Sequence, residues 1–468
     1  MSISTAAVAA EPTASVRLYR AVWRWHFYAG LVVVPFLAIM ALSAIVMLYG
    51  NTVETAFGER HYVSQGGDRA SLVEQSEAAV AAVPNGSLKL AVVPKNFWQA
   101  STFVVDADGK NVVIAIDPHG PKIIGTVVQD DTWYYWAKNV HGTLLIGTIG
   151  DRIIEIVAGL GIVLVITGLY MWWPRNGRDL QRALTPNLLQ RGRGLWKELH
   201  VSLGFYLAIF LVFFLISGLT WSGIWGERIV QAWSTFPAAK WDNVPLSDKT
   251  HAAMNHGAME EVPWALEQTP MPESGSHAGH RGVVAADAPV DLDSVVAFAR
   301  ANGFDEQFRI NAPRDDGGVF TVSADSMDGD TSNAMGDRTV HIDRYTGNVL
   351  ADVRFADYSL AGKAMAVGIA LHQGNLGPLN TLANFAVCGI ILFLCASGGV
   401  MWWKRRPAKG LGAPRYPKDY RASAAALVIA IAVCIIFPLT GIAVAIFALV
   451  DFFLPKRFKE VQRREAEA

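Results

Sequence analysis

The chain has 468 residues, of which 52% are hydrophobic and 17% charged, with a mean hydropathy of +0.27. That composition excludes an ordinary soluble enzyme, and the long polar stretches exclude a compact transporter; a membrane protein with sizeable extramembrane parts remains. The formal net charge of −1 gives no basis for nucleic-acid binding, and the three cysteines, Cys388, Cys395 and Cys434, all lie in apolar runs, which excludes a disulfide framework, a zinc site and a covalent Cys-x-x-Cys-His haem attachment.

Residues 1–20 form a polar, Ala-rich leader without the basic start and cleavage pattern of a secretory signal, so it is expected to be retained. An apolar run over 27–47 follows, long enough for a hydrocarbon core of about 30 Å, with Trp23, Trp25 and Tyr28 as interface anchors. Further spans are predicted over 153–173, 201–221 and 382–403. Arg17, Arg20 and Arg24 precede the first span. A basic link with Arg175, Arg178, Arg182, Arg191, Arg193 and Lys197 joins the second and third, and Lys404, Arg405, Arg406 and Lys409 follow the fourth. The positive-inside rule makes these faces cytoplasmic and puts the two long connections on the other side. A last apolar stretch, 422–454, reads either as one span or as a hairpin turning at Phe437-Pro438-Leu439.

Each long connection carries the same pattern. The first predicts a helix over 71–83 and strands over 88–93, 101–105 and 111–116; the second predicts a helix over 292–301 and strands over 308–311, 319–323 and 338–342. Span, α+β unit and span thus occur twice in the same order, which implies two halves of like orientation. The divisions are a leader and first span (1–50), a first α+β domain (51–150), spans two and three with their basic link (151–225), a second α+β domain with a His/Met-rich loop (226–381), and the fourth span with the C-terminal region (382–468). The fold class is a polytopic α-helical membrane protein whose four-helix core comes from a parallel internal repeat, with two periplasmic α+β domains and a C-terminal apolar span or hairpin.

The most specific repeated unit joins a histidine to a tryptophan pair. Val140-His141-Gly142 precedes a span ending Gly168-Leu169-Tyr170-Met171-Trp172-Trp173, and Leu371-His372-Gln373 precedes one ending Gly398-Gly399-Val400-Met401-Trp402-Trp403. His26 and His200 open the other two spans. Each half therefore supplies one histidine near each face, and imidazole is a good axial ligand for haem iron. The pairing expected is His26 with His200 at the cytoplasmic side and His141 with His372 at the other, holding two non-covalent haems. Against this stands the plain reading of four interfacial histidines. Glu155, in the second span, is read either as a proton or quinol group or as a partner of Arg152.

A second chemical signal is His251-Ala-Ala-Met254-Asn-His256-Gly-Ala-Met259, where imidazoles and thioethers together suit copper. No dinucleotide fingerprint is present, because the Gly-rich patches lie inside spans.

The Ile-Asp-x-x-x-Gly-x-Val-Leu pattern at 342–350, looser at 116–124 with Pro121 in place of glycine, resembles the PepSY domain, and the His-to-Trp-Trp span resembles the PepSY-associated transmembrane helix family of iron-regulated inner-membrane proteins. The resemblance implies two haem b groups and reduction of iron in a ferric siderophore outside a bacterial inner membrane. The N-terminus would be cytoplasmic, and electrons would come from quinol or a separate cytoplasmic reductase. The alternatives are a cupric reductase using the His/Met-rich loop, and a haem-free scaffold that binds metal or peptide.

Overall fold

A computed structural model describes residues 14–449, apart from 64–66, 97, 175–183, 228–242, 255–261, 264, 277, 281, 283–288, 406–423 and 447–448. The chain folds into two compact units. One comprises 1–41, 148–225 and 389–468, the other 42–147 and 226–388.

The first unit contains apolar helices. Four helices are long and apolar enough to cross a membrane: α1 (Ala14–Leu48, its apolar part Leu18–Leu48), α5 (Thr148–Trp172), α6 (Arg193–Leu219) and α9 (Pro378–Trp403). They match the four predicted spans to within two residues at the C-terminal ends and begin earlier, α1 by three turns and the others by one or two, since helix continues into the polar flanks. Helix α5 is the most enclosed, with half of its apolar window buried. Ala158, Ile162 and Val165 of α5 pack on Ala208, Leu215 and Leu219 of α6, and Gly161 allows the approach: a Cβ there would lie 3.0 Å from Leu215 Cδ1. The C-terminal stretch turns back on itself. Helix α10 (Ala424–Ile436) stops at Phe437, ahead of Pro438, and the following turn brings Gly441 so near that a Cβ would meet the Cys434 backbone at 2.8 Å. Of the two readings of this stretch, the chain adopts the fold-back.

Glu155 does not pair with Arg152. Arg152 is salt-bridged to Asp151, while Glu155, 4% exposed, accepts from the Ile224 backbone N–H at 3.2 Å, and Asp151 accepts from Gly223 N–H at 3.2 Å. The two carboxylates tie down the turn that ends α6.

The second unit is built on one sheet of eight strands. Its order is β10-β9-β8-β7-β1-β2-β3-β4, with β1 (Ser87–Val93), β2 (Ser101–Ala107), β3 (Lys110–Asp117) and β4 (Lys122–Val128) from the first connection and β7 (Phe308–Asn311), β8 (Val319–Ala324), β9 (Arg338–Asp343) and β10 (Val349–Arg354) from the second. The alternation of β-branched and polar residues makes these strands, and each half's meander runs outward from the centre. At the centre β1 and β7 pair antiparallel, Leu90 with Asn311 through Val93 with Phe308. The two α+β units read from the sequence are therefore halves of one sheet rather than separate domains. Helices α3 (Leu72–Ala81) and α7 (Leu292–Ala301) cover it, each begun by a capping box, Ser71 with Glu74 and Asp291 with Ser294. Asp293 of α7 accepts from the Leu72 N–H at 2.6 Å and the Val73 N–H at 3.4 Å, so an anion from one half neutralises the helix N-terminus of the other. A continuous core, with Phe103, Ile114, Ile116, Phe308, Ile310, Val340 and Ile342 fully buried, runs across both halves.

Two helices absent from the sequence reading complete this unit, α4 (Trp133–Thr143) and α8 (Leu360–Gln373). They carry His141 and His372. A small hairpin, β5 (Leu246–Thr250) with β6 (Pro270–Pro272), lies in the loop before α7.

Candidate functional site

The four candidate haem histidines fall two in each unit. In the helical unit His26 of α1 donates from Nδ1 to Thr167 Oγ1 at 3.0 Å, and His200 of α6 donates from Nδ1 to Ser397 Oγ at 2.7 Å. The direction of these bonds follows from the hydroxyls' own protons. Thr167 Oγ1 donates back to the Val163 carbonyl at 2.6 Å, and Ser397 Oγ to the Leu394 carbonyl at 3.0 Å, so each hydroxyl is left to accept from the imidazole. The Leu164 and Leu394 carbonyls also stand within reach of the two rings. Both rings are thereby set with the proton on Nδ1 and the Nε2 lone pair open, the tautomer a metal ligand needs. Each ring also lies over a glycine: a Cβ on Gly168 would be 3.3 Å from His26 Cε1, and one on Gly398 would be 3.8 Å from His200 Cε1. The rings are close enough to act on one another electrostatically.

Thr167-Gly168 and Ser397-Gly398 occupy the same place in the two Met-Trp-Trp segments. Sequence reasoning passes over these hydroxyl residues, although the signal is there, a Thr or Ser just before the glycine in both copies. Of the tryptophans, Trp172 stacks on Phe205 with ring centres 3.8 Å apart, whereas Trp173 and Trp403 are exposed, as interface anchors are.

In the other unit His141 and His372 face each other with ring centres 6.4 Å apart and planes 89° apart. Ser43 Oγ is 3.1 Å from His141 Nδ1. Helix α4 is started by the Thr132 side chain, which accepts from Tyr135 N–H, and by Glu59, which accepts from Trp133 N–H at 3.1 Å; it is broken just after His141 by Leu144 and Leu145, both at positive φ (51° and 61°). Two successive leucines there cost on the order of 1–3 kcal/mol each, strain of a kind that gathers at functional sites. After His372 the break is made by Gly374 (φ 83°) and Gly377 (φ 95°), and Asn384 from α9 donates to the carbonyls of Leu371 at 2.7 Å and His372 at 2.9 Å. Asn380 and Asn384, polar residues at the start of an apolar span, are the sequence signal for this clamp. Burial, and then the neighbouring His141, push the His372 pKa down to about 3, so this imidazole is neutral and competent as a ligand at neutral pH.

The chemistry of these histidines, His372 kept neutral by burial and His26 and His200 each anchored at Nδ1 by a hydroxyl, fits a haem iron that the two pairs would hold. An open hollow of ≈530 Å³ is lined by Tyr49, Gly374, Asn375, Gly377, Pro378, Thr381 and Leu382, in the turn that follows His372.

The copper candidates divide. His251 is fully buried in the sheet domain and Met254 is partly buried three residues on, whereas His256 and Met259 lie outside the described residues. Asp325, Asp328 and Asp330 also converge, but Arg309 ties two of them, binding Asp330 at 3.1 Å and Asp328 at 3.3 Å.

Four apolar helices long enough to span a membrane, joined to a sheet domain, define the class: an α-helical membrane protein with a substantial extramembrane α+β part. The chain matches the family described as PepSY-associated TM region over residues 23–405, and it belongs to that family. No curated protein matches it.

Proposed function

We propose that the protein is a di-haem b electron carrier of a bacterial inner membrane that reduces ferric iron held in a siderophore on the periplasmic side. The observation that carries the reading is the 6.4 Å separation of the His141 and His372 rings. His26 and His200 would hold one haem and His141 and His372 the other; bound there, the haems supply one-electron transfer. The chain's own residues do the rest. Thr167 and Ser397 hold the Nδ1 protons and so keep Nε2 toward the metal. Asn384 fixes the end of the helix that presents His372, and burial keeps that ring uncharged. The glycines beneath His26 and His200 leave room for the imidazole rings to lie against their neighbouring helices. The parallel repeat implied by the sequence supplies one histidine of each pair from each half. Electrons would enter from quinol or a cytoplasmic reductase. Reduction of the iron weakens its binding by hard oxygen chelators and frees Fe(II).

The pairing of β1 with β7 joins the two α+β units edge to edge and leaves no cleft between those strands for a siderophore. The cavity past His372 is the better place for the acceptor.

The test is a reduced-minus-oxidised absorption spectrum of the purified protein, with haem counted per chain. Two b-type haems are expected. His141→Ala and His372→Ala should each remove one, His26→Ala and His200→Ala the other, and any of the four should abolish reduction of a ferric siderophore. Absence of b-type bands refutes the reading, and bands that survive all four substitutions refute the ligand assignment.

A further inference from the structure

A third histidine pair lies inside the sheet domain. His251 begins a single 3-10 turn, His251–Met254, and His341 is in the middle of β9; both are 0% exposed, and their Nε2 atoms are 2.9 Å apart. Behind each ring the other nitrogen is anchored, His251 Nδ1 on the Thr269 carbonyl at 2.7 Å and His341 Nδ1 on the Thr321 hydroxyl at 2.9 Å. A carbonyl can only accept, so His251 carries its proton on Nδ1 and turns an Nε2 lone pair inward. A ring nitrogen held by a backbone carbonyl is the usual support of a metal-ligating histidine.

Two bonds of about 2.0–2.1 Å at a tetrahedral angle place the nitrogens about 3.3 Å apart, so the pair has to open by only about 0.4 Å to take an ion. His341 can meet the change by moving its proton from Nε2 to Nδ1 while the Thr321 hydroxyl turns from donor to acceptor, and no net proton is released. Burial favours the neutral rings that this requires, pushing His251 down to about 4 and His341 well below its ordinary value.

The surroundings select the ion. In a 3-10 turn residues three apart stand one above the other, which puts Met254 on the same side as His251. Met254 and Met271 both line a cavity of ≈260 Å³ whose wall includes Thr321, the residue behind His341. Val262, Leu266, Ala351 and Val353 form an apolar cluster against which Met254 packs, a setting hostile to hydrated hard cations. Thr269 adds a buried hydroxyl with no partner among the described residues. Two fully buried imidazoles with a thioether sulfur on the same side suit the soft cuprous ion better than calcium or magnesium, although the cavity beyond Met254 is also lined by Asp248, Lys249, Glu273 and Asp315.

We propose that His251 and His341, with Met254, form a binding site for Cu(I), loaded through the cavity lined by Met254 and Met271. The site shares no residue with the haem pairs and does not depend on the haem reading.

The experiment titrates Cu(I) anaerobically into the full-length, detergent-purified protein against the chromophoric chelator bicinchoninate, with X-ray absorption at the copper edge. One equivalent should be withheld from the chelator, with nitrogen and sulfur in its shell. His251→Asn and His341→Asn should each weaken it at least a hundredfold, and Met254→Leu about tenfold, with haem content and unfolding temperature unchanged. Failure to withhold an equivalent overturns the proposal, as does an equivalent held as tightly by all three variants. If either histidine variant does not fold, Met254→Leu and the wild-type absorption edge decide: an unchanged affinity and a shell without sulfur overturn it.

Discussion

Removing the hydroxyls behind His26 and His200 tests the tautomer argument most directly. Thr167→Val keeps shape and volume and Ser397→Ala removes a single oxygen, yet each takes away the atom that accepts the Nδ1 proton. A buried N–H left without its partner costs about 1–3 kcal/mol, a factor of roughly 5 to 150 in an equilibrium constant, in line with the ten- to hundredfold usual for a group behind a metal ligand. Ser397 makes the shorter contact, 2.7 Å against 3.0 Å, so Ser397→Ala should be the more damaging of the two and Ser397→Thr should be nearly silent. Under the proposed function, haem transfer to apomyoglobin gives the affinity. Redox titration gives a second readout, because a ligand that no longer donates its proton to an acceptor is less electron-rich and the midpoint of that haem rises. If both variants hold haem and titrate as the parent does, or if the shifted haem is the one lost in His372→Ala, the assignment fails.

Two further outcomes follow from distances and burial. Gly168→Ala puts a methyl 3.3 Å from His26 Cε1 and should displace the ring and alter the low-spin electron-resonance signal of that haem, while Gly398→Ala, at 3.8 Å from His200, makes an ordinary contact and should leave it native; equal effects would refute the packing argument. Asp337 is 4% exposed, and burial raises its carboxyl to about 7 against the pull of two hydrogen bonds from Ser326. A group whose folded pKa is raised stabilises fully below its unfolded value, near 4, and loses that contribution as pH climbs through 7. Asp337→Asn should therefore raise stability at pH 8, by up to about 4 kcal/mol at 1.36 kcal/mol per unit, and flatten the profile between pH 4 and 7. Thermal unfolding across pH measures it, and a variant destabilised equally at pH 5 and pH 8 would refute it.

The spans and most of the strands are legible because their periodicity is local. Span four, predicted over 382–403, forms as Pro378–Trp403, and the helix predicted over 292–301 forms with those bounds. Helices α4 and α8 escape because each ends within a few residues of a span; α8 is closed by Gly374 and Gly377, but α4 is broken by φ rather than by composition, and nothing in the letters of Leu144-Leu145 announces a left-handed turn. The union of the two α+β units escapes for a different reason. Pairing of β1 with β7 is set by two short edges more than two hundred residues apart, and hydrophobic alternation on each strand is the same whether that edge is covered or bare. His341 goes unnoticed because a histidine at an inward position of Arg338–Asp343 looks like strand core until His251 is brought against it.

The joined sheet constrains how an electron acceptor can be held. With β1 hydrogen-bonded to β7, Asp293 spanning both helices and one core beneath, the halves form a rigid plate, and closure of one half on the other is not available as a clamp. What can adapt is the loop after His372. Its Asn375 side chain donates to the carbonyls of Ser326 at 2.9 Å and Met327 at 3.0 Å, next to the buried Asp325 and Asp337, while its glycines at 374 and 377 border the ≈530 Å³ cavity. An acceptor seated there would touch the turn that carries His372 and, through Asn375, the acidic loop of β8. Under the proposed function, binding on the sheet side is thus read at the histidine through one amide side chain, without any movement between the two halves of the sheet.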